Sequence, residues 1–232
     1  MAHLAAHASS RIQSLSLTRC TSITDAGFQA WAPFNFAKLT QLCLADCTYL
    51  SDNAIVALVN AAKNLTHLDL SFCCALTDTS TEVVALGLPR LRELRLAFCG
   101  SAVSDGSLGC IALHLNDLEG LSVRGCVRVT GAGVENVLDG CASLRWIDAS
   151  QCRHLEQWVR GGGVSRWGYD ERAQAEGRGA GRGAADGKDA STSPPLLPAV
   201  TMGRPFGRGF GRARKARKPV QFILEKGGQG LR

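Results

Sequence analysis

Six cysteines recur along the chain as if set by a ruler: Cys20, Cys47, Cys73, Cys99, Cys126 and Cys152, spaced by 27, 26, 26, 27 and 26 residues. The same apolar pattern precedes each one. Eight, five and three residues upstream stand Ile12, Leu15, Leu17; Leu39, Leu42, Leu44; Leu65, Leu68, Leu70; Leu91, Leu94, Leu96; Leu118, Leu121, Val123; and Leu144, Ile147, Ala149. A period of this length marks a repeat architecture. The L-x-L core alternates with period two, which predicts a short strand whose leucines share one face.

An aliphatic residue, a Ser or Thr, and usually an Asp follow each cysteine: Ile23-Thr24-Asp25, Leu50-Ser51-Asp52, Leu76-Thr77-Asp78. The fourth unit has one extra residue before Val103-Ser104-Asp105, and the fifth reads Val129-Thr130-Gly131. A hydroxyl that caps free backbone N–H groups, followed by an acid in the first turn, predicts a helix start. The stripe that follows is helical: Ile55, Leu58, Val59; Leu108, Ile111, Ala112; Val134, Val137, Leu138. One strand and one helix cannot close a core in about 26 residues, whereas stacked copies can, so the units form a solenoid.

The motif L-x-x-L-x-L-x-x-C-x-x-[IL]-[ST]-D resembles the cysteine-containing leucine-rich repeat of F-box leucine-rich-repeat and antagonist-of-mitotic-exit-network proteins, over roughly residues 12–158. The resemblance implies an α/β horseshoe of about six coils, with parallel strands concave and helices convex. It also implies a protein-binding role, commonly choosing substrates for cullin-type ubiquitin ligases. Three departures stand against a full family member. No F-box precedes the first repeat, residues 1–11 resemble only the back half of a repeat helix, and the sixth unit stops at Leu155-Glu156-Gln157-Trp158 without a capping step or following helix. Both solenoid ends are therefore expected to be under-capped, as in a truncated or partial gene product.

Ten cysteines invite a metal or disulfide reading, but six of them hold a structural register, about 5 Å apart if strands stack at sheet spacing. There each acts as a small apolar residue with a weak donor. No C-x-x-C pair exists, Cys73 and Cys74 are adjacent, and Cys43 lies off the inward register. His3 and His7 could share a helix face, yet no H-E-x-x-H follows. Thr130-Gly131-Ala132-Gly133 mimics a dinucleotide loop, but Asn136 stands where the third glycine belongs, and Gly131 aligns with Asp25, Asp52 and Asp78. No catalytic constellation, metal or cofactor is expected. Free cysteines without a signal peptide point to cytoplasm or nucleus. No apolar run of 18 residues is present to span a membrane.

The residues between the inward leucines should face out of the concave sheet. In the first two units these are Ser14, Ser16 and Thr18, then Gln41, Cys43 and Ala45, all small or uncharged. Later units offer His67, Asp69 and Ser71; Glu93, Arg95 and Ala97; Gly120, Ser122 and Arg124; and Trp146, Asp148 and Ser150. The candidate partner-binding residues are His67, Asp69, Glu93, Arg95, Arg124, Trp146 and Asp148, with Trp146 beside Arg124 as the anchor pair, since Trp and Arg dominate interface hot spots. The alternative for Trp146 is a cover on the last coil. Phe72 and Phe98 read either as a stacked rim or as packing between coils.

Charge divides the chain. Residues 1–159 hold all ten cysteines and 11 Lys+Arg against 14 Asp+Glu, whereas residues 160–232 hold 16 of the 26 glycines and 15 Lys+Arg against 6 Asp+Glu. The acidic first part argues against nucleic-acid binding there. Residues 160–219 read as a disordered Gly/Arg-rich linker. Within it Arg204, Arg208, Arg212, Arg214, Lys215, Arg217 and Lys218 suit localisation, RNA contact, or no function beyond a linker or off-frame translation. Residues 220–232 open with Val220–Leu224, an apolar run that either adds a strand to a sheet edge or stays unfolded. The expected function is non-catalytic protein recognition, as the substrate-binding part of an F-box/cullin-type ubiquitin ligase adaptor with cullin-ligase subunits as partners. The alternative is nucleic-acid association through the basic tail.

Overall fold

The computed structural model describes residues 1–170 and 218–224. Each L-x-L core forms a three-residue strand: β1 (Ser14–Ser16), β2 (Gln41–Cys43), β3 (His67–Asp69), β4 (Glu93–Arg95), β5 (Gly120–Ser122) and β6 (Trp146–Asp148). The six pair in parallel and in unbroken register, so that Leu15, Leu42, Leu68, Leu94, Leu121 and Ile147 form one row. The helices lie on the other side: α1 (Ala2–Ala8), α2 (Asp25–Gln29), α3 (Asp52–Ala61), α4 (Asp78–Gly87), α5 (Asp105–His114) and α6 (Gly131–Gly140). Between sheet and helices runs one continuous core, in which Leu44, Leu70, Leu96, Ile55, Ile111 and Val137 are fully buried. Each such aliphatic side chain contributes roughly 1.5–3 kcal/mol. The first coil carries only the short α2, and fills the remaining volume with Phe28, Trp31 and Phe36, the last two stacked 4.1 Å apart.

The cysteine ruler has a hydrogen-bonding cause. Each buried thiol donates to a carbonyl of the preceding coil: Cys47 to Leu17, Cys73 to Leu44, Cys99 to Leu70, Cys126 to Leu96 and Cys152 to Val123, at 3.0–3.2 Å. The residue just before each cysteine is left-handed, with φ of 58–69° at Arg19, Asp46, Phe72, Phe98, Gly125 and Gln151. This turn ends the strand and drops the thiol into the core. Of the six, Gly125 alone lacks a Cβ, and an added one would lie 2.5 Å from the Phe98 ring.

The Ser/Thr-Asp step does more than start a helix. Asp52 accepts from Thr77 N (2.9 Å) and Thr77 Oγ1 (2.6 Å) of the next coil, and Asp105 accepts the same pair from Thr130 at 2.8 and 2.6 Å. Asp25 likewise holds Ser51. The extra residue in the fourth unit breaks this ladder once. Ser104 closes a capping box with Ser107 instead, and Asp78 pairs with Arg128 at 2.8 Å.

The C-terminal end corrects the expectation of an open stack. After β6 a 3-10 turn (Arg153–Leu155) leads into α7 (Glu156–Arg160), α8 (Gly163–Trp167) and strand β7 (Gly168–Asp170). Ordered structure therefore continues through residues 160–170, which the composition had assigned to the linker. Apolar anchors explain this: Trp158, Val164 and Trp167 pack on the core. The apolar run of the tail forms β8 (Val220–Ile223), which inserts between β6 and β7 and pairs in parallel with both. Val220 and Phe222 are buried. The N-terminal end does stay open: Ile12, Leu15, Leu17, Cys20 and Ile23 are only partly buried, and no strand among the described residues pairs with the outer edge of β1.

Candidate functional site on the concave face

Strand register places the outward side chains in two rows. One runs Ser14, Gln41, His67, Glu93, Gly120, Trp146 and Gln221; the other runs Ser16, Cys43, Asp69, Arg95, Ser122, Asp148 and Ile223. Adjacent members are about 4.8 Å apart, so the expected candidates on these rows share one continuous surface.

Gly120 creates a notch in the first row, and the indole of Trp146 lies in it. A Cβ at residue 120 would come within 2.3 Å of Trp146 Cε2. The Arg95 guanidinium sits 5.8 Å from the indole centroid, a cation–π distance, and Arg95 Nε also donates to Glu93 at 2.6 Å. Trp146, Arg95 and Glu93 thus form the connected centre of the face. The Arg124 guanidinium lies 5.8 Å from the Phe98 ring, which stacks on Phe72 at 4.8 Å. Trp146 is thus paired with Arg95, and Arg124 with Phe98 and Phe72 at the turn. Arg124 immediately precedes the left-handed Gly125, which carries it to the rim of the sheet.

The two aspartates are tied into their own loops. Asp69 accepts from Ser71 N at 2.9 Å, and Asp148 from Ser150 N at 3.0 Å and Ser150 Oγ at 2.6 Å. Ser71, Ser122 and Ser150, expected to face solvent, are buried. Ser71 and Ser150 stand just ahead of the left-handed Phe72 and Gln151, and Ser150 Oγ donates to Asp148 Oδ1. His67 is half-buried, with Nδ1 2.8 Å from Thr66 Oγ1. A shallow hollow of about 240 Å³ extends from Ser14 and Gln41 to Glu93 and Arg95, so the first two coils also contribute to the concavity.

Sequence reasoning missed a row one residue upstream of the strands. Arg92 Nη1 and Arg145 Nε reach the two oxygens of Glu119 at 3.5 and 3.2 Å. With His67, Glu93, Gly120 and Trp146 they line a second hollow of about 270 Å³. The signal was legible as Arg, Glu, Arg at one repeat position in three successive units.

All ten cysteines are free thiols. Burial pushes Cys73, Cys99 and Cys126 up to about 12 and Cys152 to about 11, so they are poor nucleophiles. Among the described residues no three His, Cys, Asp or Glu side chains converge on a metal position, and no helix is long and apolar enough to cross a membrane. Of the basic-tail candidates, Arg204, Arg208, Arg212, Arg214, Lys215 and Arg217 lie outside the described residues, and Lys218 is exposed just ahead of β8.

A family described as "Leucine Rich repeat" matches residues 61–83. No curated protein matches the sequence. A solved structure with this fold is the crystal structure of the Rad7 and Elc1 complex in yeast, which matches with a TM-score of 0.52 at 21% identity over 62% of this chain. The chain spans 35% of the length of that structure's matching chain. Fold, repeat and comparisons agree on a leucine-rich-repeat solenoid, an architecture that serves as a protein-interaction module.

Proposed function

We propose that this leucine-rich-repeat chain recognises a protein partner on its concave face, without catalysis, and serves as the substrate-binding part of an F-box/cullin-type ubiquitin ligase adaptor. The observation that carries the reading is the Trp146–Arg95–Glu93 cluster. It sets an aromatic and a guanidinium, the side chains that dominate interface hot spots, on a rigid parallel sheet. The ligase assignment draws support from the repeat motif and from the Rad7–Elc1 fold likeness. Ten free thiols support a reducing setting, cytoplasm or nucleus.

The test is affinity purification of the full chain from cells. Cullin-ligase subunits and one reproducible further protein should co-purify. Trp146→Ala and Arg95→Ala should each weaken capture of that protein by about thirtyfold, the loss expected of a hot-spot anchor, while Gln41→Ala leaves it intact. Equal losses for Gln41→Ala and Trp146→Ala, or a Trp146→Ala effect confined to melting temperature, would refute the site.

A further inference from the structure

We propose that Arg92, Glu119 and Arg145 form an anion-reading subsite. It takes an oxyanion-bearing side chain, carboxylate or phosphoryl, from an extended partner peptide whose neighbouring apolar residue lies against Trp146. The inference rests on the protein-recognition role above and names the chemistry of its partner.

In the second and third coils the residue ahead of the strand is Thr40 or Thr66, and each hydroxyl donates to the carbonyl of the coil before, at 3.2 and 3.0 Å. From the fourth coil onward that role is abandoned. Arg92, Glu119 and Arg145 occupy the position, and their side chains reach across to one another. Their backbone is fixed all the same: Arg92 N donates to Thr66 O, Glu119 N to Arg92 O and Arg145 N to Glu119 O, at 2.7–2.8 Å. Long charged side chains on a fixed backbone row make a preorganised surface.

One carboxylate is shared by two guanidiniums. Glu119 is tucked in at 28% side-chain exposure, whereas Arg92 and Arg145 are 61% and 73% exposed. Both guanidiniums stay largely exposed, and Glu93, the other carboxylate of the hollow, is engaged by Arg95, so these five side chains carry one net positive charge. A guanidinium fork matches carboxylate and phosphoryl oxygens in a bidentate fashion. Glu119 holds the two forks side by side and leaves room for one more anion. The indole of Trp146 forms the wall of the same hollow, kept low by the notch at Gly120. An acidic group and an apolar neighbour on one extended segment would meet both surfaces at once.

The probe is a displayed library of random nine-residue peptides selected on the full chain. Selected sequences should be enriched in Asp or Glu within two positions of an apolar or aromatic residue. A consensus peptide should bind more weakly as salt rises. The double variant Arg92→Gln/Arg145→Gln should bind it at least tenfold more weakly and lose the acidic preference, with melting monitored alongside. If that variant melts early, Arg145→Gln alone and the salt dependence report the same effect. Exchanging the consensus acid for phosphoserine separates the sources: tighter binding identifies a phosphorylated partner, weaker binding an acidic one. Failure to select peptides, or an acidic preference that survives the double variant, overturns the subsite. Peptides that need Trp146 but show no acidic preference overturn it while leaving the recognition role standing. Peptides indifferent to Trp146, Arg95 and Arg92 remove both.

Discussion

Restoring the repeat consensus at residue 131 should damage the protein. Repeat logic favours Asp there, where Gly131 starts α6, and Asp at a helix start is ordinarily worth a few tenths to 1 kcal/mol. The structure reverses the sign. A Cβ at 131 would lie 2.4 Å from Trp158 Cδ1 and Cγ and 2.6 Å from Trp158 Cβ. The last of these sits next to the backbone, so a rotamer change cannot relieve the clash and α7 must move. Overpacking of this kind costs about 1–3 kcal/mol. Trp158 Nε1 also donates to Glu135 Oε1 at 2.9 Å, and losing a bond to a charged acceptor adds about 1.5–3 kcal/mol. Set against the helix-start gain, Gly131→Asp should destabilise by roughly 1.5–6 kcal/mol, a fall of about 3–24 °C for a domain of this size. Thermal unfolding by circular dichroism measures it, and a double-mutant cycle isolates the cause. In a Trp158→Ala background, which removes the ring contacts and the Glu135 bond but keeps the Cβ, the loss caused by Gly131→Asp should be clearly smaller. A rise in melting temperature in the wild-type background, or the same loss in both backgrounds, would refute the reasoning.

Leu70→Asp places an unpaired charge between coils and should abolish cooperative unfolding, whereas Ser16→Asp on the exposed row should be near neutral; equal midpoints would break the register. Thiol titration of the unfolded, non-reduced protein should count close to ten, and a stable disulfide set would contradict the ladder. Because Cys73, Cys99, Cys126 and Cys152 titrate higher folded than unfolded, their contribution is complete below the unfolded value of about 8.5. It is lost as pH rises toward 11–12, by roughly 1 kcal/mol per thiol at pH 9.5. Denaturant midpoints should fall steeply above pH 9, and less so in Cys99→Ala measured against its own neutral-pH value. For Asp52, burial opposes ionisation, but hydrogen bonds from Ser80 and Thr77 outweigh it and lower its pKa. Its contribution is present above about pH 4 and disappears as pH falls through the lowered value. Asp52→Asn should flatten the acid limb of the stability curve, and an unchanged limb would discount the ladder.

The fold was legible because period and chemistry coincided. The spacing of six cysteines located the coils, and L-x-L set the strand register residue for residue. The concave rows followed from alternation alone as far as the strands last. Direction alone did not give exposure: Ser71, Ser122 and Ser150 are buried although the pleat turns them outward, and Arg124, just ahead of the left-handed Gly125, lies against Phe98. The C-terminal cap was illegible for another reason. Its contacts join Trp158 to Gly131 and Phe222 to Trp158, pairs far apart in sequence that no local period encodes. Gly131 was read only as a missing Asp, when its lack of a side chain is what seats the indole.

The placement of β8 also sets a timetable. Coils one to six can stack in the order in which they are made, since each strand pairs with the one about 26 residues before it. The strand that covers β6 arrives roughly seventy residues later, which at ribosomal speeds of about 5–20 residues per second is an interval of about 4–15 s. Throughout that interval a nascent chain presents β6 with its backbone groups unpaired, the condition under which growing chains on one messenger join edge to edge. Slow synthesis across the segment between β7 and β8 should therefore lower the yield of soluble protein, although every residue of the finished fold is unchanged.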